Sequence, residues 1–249
     1  MIKDAHIHFG WWGQCGELKY YSPRRIVTVL KRCGVEEFIA SSTTPQAECV
    51  EAGELLREAK EMRRRGGENV HQFLFVTEKM YKAGSVLPLL DSGLFEGLKF
   101  HECNTHWNLE FPDALDGLLR EAVVRRMKVM FHCGNGDGCR PLELEKWALR
   151  YPKVKFNFAH CCPCDEMIQV MRRCPNVYTD VSFQPSAVFA AALKTDVADR
   201  VMWGSDMPVQ VIAHGGMLTP GYRRIVKIAK SVIGYERTNR AFENFLLKS

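Results

Sequence analysis

Five histidines and one aspartate stand near the ends of short β-rich runs along the chain. They are His6, His8, His101, His132, His160 and Asp206. Imidazole nitrogens and carboxylate oxygens are suitable ligands for zinc and similar divalent ions, and a catalytic site leaves one position open for water. A single histidine in a strand is more often a satisfied core residue, but six such groups in equivalent positions predict a metal site.

The segments that carry these residues alternate with amphipathic helical patterns. Eight strand candidates cover residues 2–9, 36–43, 70–77, 95–102, 128–134, 155–161, 177–183 and 200–206. Helical patterns lie between them, for example at 47–65 and 112–127, and a final helix is predicted over roughly 236–247. Such alternation indicates a parallel sheet, and eight units in about 250 residues are typical of a (β/α)8 barrel. An open doubly wound sheet is the alternative, but no glycine-rich dinucleotide loop follows the first strand.

The sequence therefore predicts an α/β fold, namely a single (β/α)8 TIM barrel, either regular or distorted. An extra helix follows the barrel at the C-terminus. No linker or shift in composition divides residues 1–249, so we expect one domain. In such a barrel the carboxyl ends of the strands converge on the active site. Residues two apart on a strand point the same way, so His6 and His8 share a face, as do Lys99 and His101.

The composition is that of a soluble globular protein, with 46% hydrophobic and 25% charged residues. The net charge of +5 is mild, and no nucleic-acid-binding motif accompanies it, so we expect no nucleic-acid partner. No apolar run reaches the about 18 residues of a membrane span, and no secretory signal opens the chain, which favours a cytoplasmic protein. Most of the ten cysteines are expected to be reduced, and those at 161, 162 and 164 lack the matching pair of a zinc knuckle.

Five motifs, in order along the chain, resemble the motif series of the amidohydrolase superfamily. They are D-A-H-I-H at 4–8, G-L-K-F-H at 97–101, V-M-F-H-C-G at 129–134, F-A-H at 158–160 and W-G-S-D-M-P at 203–208. More narrowly, they are similar to the amidohydrolase-related branch that includes aminocarboxymuconate-semialdehyde decarboxylase. H-x-H alone is a weak signal, whereas the ordered set, one motif for each expected strand, is a strong one.

The resemblance implies that His6, His8, His132 and Asp206 bind one divalent metal ion, zinc in the first place and manganese as the alternative. His160 would orient or deprotonate the metal-bound water. Asp206, beside both ion and water, would accept the proton and return it to the leaving group. Many binuclear relatives bridge two ions with a carbamylated lysine from the fourth strand. Lys99 therefore either bridges a second ion or, as an ordinary ammonium, holds a substrate carboxylate.

Four residues are expected to contact the substrate: Lys99, His101, Arg140 and Trp11. Trp11 belongs to an aromatic loop after the first strand, which either packs on an organic substrate or plugs the mouth of the barrel. Arg140 follows a glycine-rich loop at the same mouth, and its guanidinium either clamps a carboxylate or begins the next helix. His106 and His214 fall in loops at that end and are further candidates.

These features favour a metal-dependent hydrolase that attacks an amide, ester or lactone carbon of a small, acidic substrate. A non-oxidative decarboxylase of a small carboxylic acid is the alternative, because relatives in this branch use the same ligand set for that reaction. Non-catalytic ligand binding and nuclease activity are less favoured, since the ligand set is complete and no phosphate-binding pattern accompanies the weak positive charge. Many relatives form homodimers, so a homodimer is one alternative for this protein.

Overall fold

The computed structural model describes residues 1–14, 17–46, 51–102, 107–233 and 235–247, so His106 falls outside the described residues. The strands are β1 (Ile2–Gln14), β2 (Glu17–Tyr21), β3 (Val35–Ser42), β4 (Val70–Phe75), β5 (Gly97–Phe100), β6 (Lys128–Phe131), β7 (Phe156–Phe158), β8 (Val177–Asp180) and β9 (Val201–Met202). The α-helices within these ranges are α1 (Pro23–Arg32), α2 (Ala52–Gly66), α3 (Glu78–Lys82), α4 (Val86–Asp91), α5 (Pro112–Val124), α6 (Pro141–Arg150), α7 (Cys164–Arg173), α8 (Ser186–Ala192), α9 (Val209–Ala213), α10 (Leu218–Ile233) and α11 (Glu236–Leu246).

Eight of the strands run parallel and follow one another around a curled sheet. The order is β2-β1-β3-β4-β5-β6-β7-β8-β9, in which only the β1–β2 pair is antiparallel. Backbone hydrogen bonds then join β1 to the chain around and after β9. The Ala5 N–H donates to the Trp203 carbonyl over 2.9 Å, and the Asp206 N–H donates to the His6 carbonyl over 2.8 Å. The predicted (β/α)8 barrel is confirmed, with one strand in each of the eight predicted runs.

Residues 9–13 continue the first strand and do not form the expected loop. β1 folds back on β2 as a hairpin, with Gly10 opposite Tyr21. Aromatic side chains in this segment favour extended backbone. Gly10 has a φ of 89°, and a Cβ there would collide with the Thr44 hydroxyl, so this position requires glycine. The hairpin carries Trp12 to the cavity described below.

Apolar side chains fill the barrel interior near the amino ends of the strands. They include Ala5, Ile39, Phe73, Met130, Tyr178 and Met202 from the strands, and Phe242 and Phe245 from α11. The ring of Phe245 lies 6.3 Å from that of Phe73 and 5.3 Å from that of Tyr178. The extra C-terminal helix, predicted over 236–247, therefore closes the amino end of the barrel. The polar side chains of the interior lie at the carboxyl end of the strands.

The outer helices cover the strands with apolar stripes. In α5, which lies within the helical pattern predicted over 112–127, Pro112 begins the helix and the buried side chains include Leu115, Leu118 and Leu119. α2 begins at Ala52, later than the predicted 47, and residues 47–50 lie outside the described residues. No helix in the described ranges is long and apolar enough to cross a membrane.

Candidate metal centre

A cavity of about 400 Å³ opens among the carboxyl ends of the strands. Seven of the predicted site residues line it, namely His6, His8, Lys99, His101, His132, His160 and Asp206. Each lies in a strand or within a few residues after one. The barrel therefore brings together groups that are up to two hundred positions apart in the chain, as the parallel topology requires.

Three ligand atoms face one another where β1 meets the segment after β9. The Nε2 atom of His6 lies 3.1 Å from Nε2 of His8 and 3.5 Å from Oδ1 of Asp206. Nε2 of His8 lies 3.0 Å from the same oxygen. Ligands about 2.0–2.1 Å from a tetrahedral zinc ion are themselves about 3.3 Å apart, so this triangle has suitable edges. Asp206 Oδ1 is buried and makes no hydrogen bond of acceptable geometry to the described residues, which suits an oxygen facing a cation.

Partners on Nδ1 orient both histidines of this triangle. Nδ1 of His8 lies 2.9 Å from the Ser41 hydroxyl and 3.2 Å from the Ser41 carbonyl, and Nδ1 of His6 lies 3.2 Å from Oδ2 of Asp180. Donation from Nδ1–H leaves the Nε2 lone pair free for a metal. Burial lowers the pKa of His8, which favours the neutral ring that binds metals. Burial by itself would raise the pKa of Asp206, but the neighbouring imidazoles outweigh it and hold that pKa below its usual range.

Asp180, at the end of β8, is a site residue that the sequence reasoning missed. It is fully buried, its Oδ2 accepts from the Asn157 side-chain amide over 2.9 Å, and its Oδ1 accepts from the Ser182 hydroxyl over 2.5 Å. With His6 and His160 it forms a second group of potential metal ligands. Burial acts to raise the pKa of Asp180, but the charge and hydrogen bond of His6 hold it below the usual range. Its place at the carboxyl end of a predicted strand was the available signal.

His160 and His132 contact each other at the edge of the triangle. Nε2 of His160 lies 3.0 Å from Nδ1 of His132, and Nδ1 of His160 lies 2.8 Å from the Ser182 hydroxyl. Burial lowers the pKa of His160 to about 4, so this ring is neutral near pH 7. The His132 ring also stacks on His101, with centroids 3.8 Å apart and planes 12° apart. Of the four predicted ligands, the structure brings three into one triangle and places His132 beside His160.

Lys99 lines the same cavity, and its side chain is 1% exposed. Nζ makes no hydrogen bond to any residue in the part of the chain that the structure describes. Burial lowers the pKa of Lys99. Glu102 is also fully buried, neither of its carboxylate oxygens has a hydrogen-bond partner among the described residues, and burial raises its pKa to about 8. The nearest negative charge in the same cavity is that of Asp206, which lessens the cost of burying the amine, and the position suits an anionic group of a ligand.

Trp11 and Arg140, the other two residues expected to contact the substrate, do not line this cavity. Trp11 is 37% exposed and packs on Tyr20 with ring centroids 5.2 Å apart. Trp12 faces the cavity in its place, because successive residues of a strand point to opposite sides. Arg140 is the N-cap residue of α6 and forms an ion pair with Glu166 of α7. Arg140 therefore stands at the start of a helix, as the second of its two expected roles had it.

Residues 54–215 match the family model described as amidohydrolase. The chain belongs to the amidohydrolase family. The resemblance seen in the five motifs is thereby confirmed, as is the prediction of a metal-dependent hydrolase. A search among curated proteins found no match.

Solved structures with the same fold extend over nearly the whole chain. A candidate 2-pyrone-4,6-dicarboxylic acid hydrolase from Acinetobacter baumannii, with citric acid bound, has a TM-score of 0.68 at 10% identity, covering 98% of each chain. A candidate for the same activity from Pseudomonas putida has a TM-score of 0.65 at 13% identity, covering 99% of this chain and 98% of that one. An amidohydrolase from Burkholderia multivorans, with bound zinc, has a TM-score of 0.66 at 12% identity, covering 98% and 97%. At these identities the comparison establishes the fold.

Proposed function

We propose that this amidohydrolase uses one divalent ion, zinc in the first place, to hydrolyse an amide, ester or lactone bond of a small acidic substrate. His6, His8 and Asp206 would hold the ion. The observation that carries the proposal is the triangle of their ligand atoms, with edges of 3.1, 3.5 and 3.0 Å. The zinc bound by the Burkholderia multivorans amidohydrolase of the same fold supports the choice of metal.

A divalent ion, when bound, lowers the pKa of a coordinated water from about 15.7 to about 7 and polarises a carbonyl oxygen. The ionised Asp206 carboxylate takes the proton from the attacking water and delivers it to the leaving group. His160 is neutral and lies at the edge of the triangle between Ser182 and His132, and we assign it the orientation of the water, a role that requires its Nε2 to exchange His132 for the water. Asp180 holds the His6 ring with Nε2 toward the other ligands.

We assign Lys99 and His101 to substrate binding, with the Lys99 ammonium receiving a carboxylate. The unpartnered Nζ and the cavity of about 400 Å³ support a small anionic ligand. The named activity of the Acinetobacter baumannii and Pseudomonas putida candidates concerns a dicarboxylic acid on a pyrone ring, a cyclic ester. A lactone that carries carboxylates is therefore the substrate class we favour. None of the three structures described above is named as a decarboxylase.

Metal content tests the one-ion proposal directly. Elemental analysis of protein purified without chelators should give about one zinc or manganese per chain in the wild type and none in His6→Ala. About two ions per chain would contradict it and favour a carbamylated Lys99 that bridges them. Loss of the ion from His132→Ala would add His132 to the ligands and require its ring to leave His160.

Turnover tests the roles of the two proton-handling residues. The wild type should hydrolyse at least one member of a panel of carboxylated lactones, esters and amides. Asp206→Asn should retain part of the metal and lose turnover by about 100-fold or more, because an amide oxygen binds a cation but does not accept the proton. His160→Ala should retain the metal and lose activity. Wild-type rates in Asp206→Asn would refute the mechanism.

We also propose that residues 1–249 act as a single domain. Strands from Ile2 to Met202 belong to one sheet, and α11 packs into the end of the barrel that this sheet forms. The ligand triangle itself joins the first strand to the segment after the last one. A single cooperative unfolding transition, seen equally by circular dichroism and by tryptophan fluorescence, is the expected result.

A further inference from the structure

Two thiols on the turn after β7 lie within reach of each other. Sγ of Cys161 donates to Sγ of Cys164 over 3.7 Å. Cys161 is fully buried, whereas Cys164 is half-buried and is the first residue of α7. A disulfide needs an S–S distance of about 2.05 Å, so bond formation requires an approach of about 1.7 Å. Two cysteines three positions apart at a helix start have the spacing of redox-active C-x-x-C pairs.

The surroundings make Cys164 the nucleophile and Cys161 its partner. Cys161 donates the hydrogen bond and Cys164 accepts it, and this bond lowers the pKa of Cys164 to about 7. The first turn of α7 also places Cys164 near the positive end of a helix dipole. Groups of three or more potential metal ligands in the described ranges contain no cysteine.

We propose that Cys161 and Cys164 form a reversible dithiol–disulfide pair, oxidised by small-molecule disulfides, whose oxidation lowers the turnover of the adjacent site. The formation of the bond stands on the geometry of the two thiols alone. Its effect on turnover rests on the proposed function. Nothing in the proposed hydrolysis uses these thiols, so oxidation and catalysis can be measured separately.

The oxidation is a pair of thiol–disulfide exchanges. The Cys164 thiolate attacks one sulfur of the small disulfide, which forms a mixed disulfide and releases one thiolate that takes up a proton. Cys161 then gives up its proton and its sulfur displaces the second small thiol, which leaves the Cys161–Cys164 bond. Two electrons pass from the protein thiols to the small disulfide, which departs as two thiols. A dithiol reductant reverses both steps.

The turn connects this pair to the cavity through neighbouring residues. His160 directly precedes Cys161, and Cys162, between the two thiols, lines the cavity. His160 and Cys161 have φ values of 73° and 45°, a region that non-glycine residues seldom adopt, so the turn depends on its contacts. One of these contacts runs from the His160 N–H to Oδ1 of Asp180 over 3.4 Å. A misplacement of about 1 Å at a catalytic group costs about 100-fold in rate, and closure of the sulfurs requires motion of that size.

The bond is tested on the folded protein in mixtures of reduced and oxidised glutathione, followed by alkylation and peptide mass spectrometry. We expect one new disulfide that links Cys161 to Cys164, with the loss of two hydrogens. Cys161→Ser should stop at a glutathione adduct on Cys164, and Cys164→Ser should remain reduced at Cys161. Cys33→Ser is the matched control, because Cys33 is also a partly buried free thiol but lies after α1, and it should behave as the wild type. Oxidation at Cys162 in place of the pair, or no oxidation in fully oxidised glutathione, would overturn the proposal.

The coupling to the site has two readouts. On oxidation, turnover should fall about 100-fold and recover with dithiothreitol, whereas Cys164→Ser should keep its turnover in both buffers. The imidazole NMR signals of His160 should shift on oxidation in the wild type and stay unchanged in Cys164→Ser, with or without a known substrate. A disulfide that forms while these signals stay fixed would refute the coupling. A reduced protein without turnover would instead refute the proposed function and leave the thiol result standing.

Discussion

At the scale of single residues, Oδ1 of Asp206 and Nζ of Lys99 are buried in one cavity and make no hydrogen bond of acceptable geometry to the residues that the structure describes. Folded proteins seldom leave such groups unsatisfied, so we expect each to take a partner from a bound ion or ligand. The carboxylate oxygen suits a cation, and the amine suits an anion. The same cavity therefore fits a metal ion together with an acidic ligand.

Asp180→Asn should weaken zinc binding by about 10–100-fold, because an amide is a poorer acceptor for the Nδ1–H of His6. Competition with a chromophoric chelator measures the affinity. Asp116→Asn is the matched control, since Asp116 is a buried carboxylate that accepts from the Tyr151 hydroxyl over 2.5 Å and lines no part of the cavity. Equal affinities in the two variants would contradict the orienting role of Asp180.

Lys99→Met should stabilise the fold by about 1–3 kcal/mol, because it removes a buried polar group that makes no hydrogen bond within the described ranges. The same change should abolish the binding of acidic ligands. Urea unfolding measures the stability, and calorimetry with citrate as the probe measures the binding. Lys155→Met is the contrast, since Nζ of Lys155 donates to two backbone carbonyls, at 2.5 and 3.0 Å. A loss of stability in Lys99→Met would show that its amine has a partner in the folded protein.

At the scale of elements, the strand runs were readable because buried parallel strands are short, apolar and β-rich. Each of the eight predicted runs contains a strand, and α11 lies where the final helix was expected. β2 was missed because E-L-K-Y-Y has no strong strand pattern and pairs only as the return of the hairpin. Because of that pairing, residues 9–13 belong to a strand and not to the predicted loop.

Phe245→Ala should destabilise the protein by about 3–5 kcal/mol, because the ring is fully buried in the amino end of the barrel. Urea unfolding gives the change in free energy. Leu247→Ala, at a side chain 60% exposed beyond the same helix, should stay within about 0.5 kcal/mol of the wild type. Zinc affinity should be unchanged in both variants, since the ligands lie at the other end of the barrel. A similar cost for both substitutions would contradict the plug role of α11.

At the scale of the whole molecule, the ligand triangle spans the seam at which the barrel closes. His6 and His8 belong to β1, and Asp206 follows β9. Asp4 supports the same seam, because its Oδ1 accepts from the N–H groups of His6 and Ser205 over 3.1 and 3.0 Å. A bound ion would therefore connect the first and last parts of the sheet.

Zinc should stabilise the fold against unfolding by about 2.7 kcal/mol at a free concentration one hundred times its dissociation constant. Calorimetric melting with and without a chelator measures the shift. The chelator should lower the Tm of the wild type and have no effect on His6→Ala. A Tm that is the same in both conditions for the wild type would argue against an ion across the seam.

The sequence by itself determined the strand order, the barrel and the convergence of the histidines with Asp206 at one end. These features were predictable because the alternation of buried and exposed residues is a local property of each strand, and because the parallel strand–helix unit repeats along the chain. The tertiary structure alone decided which groups touch. It placed His132 against His160, brought Asp180 to His6, paired Arg140 with Glu166 and turned Trp11 outward. These outcomes depend on distances between elements remote in the chain, and residue spacing does not fix such distances.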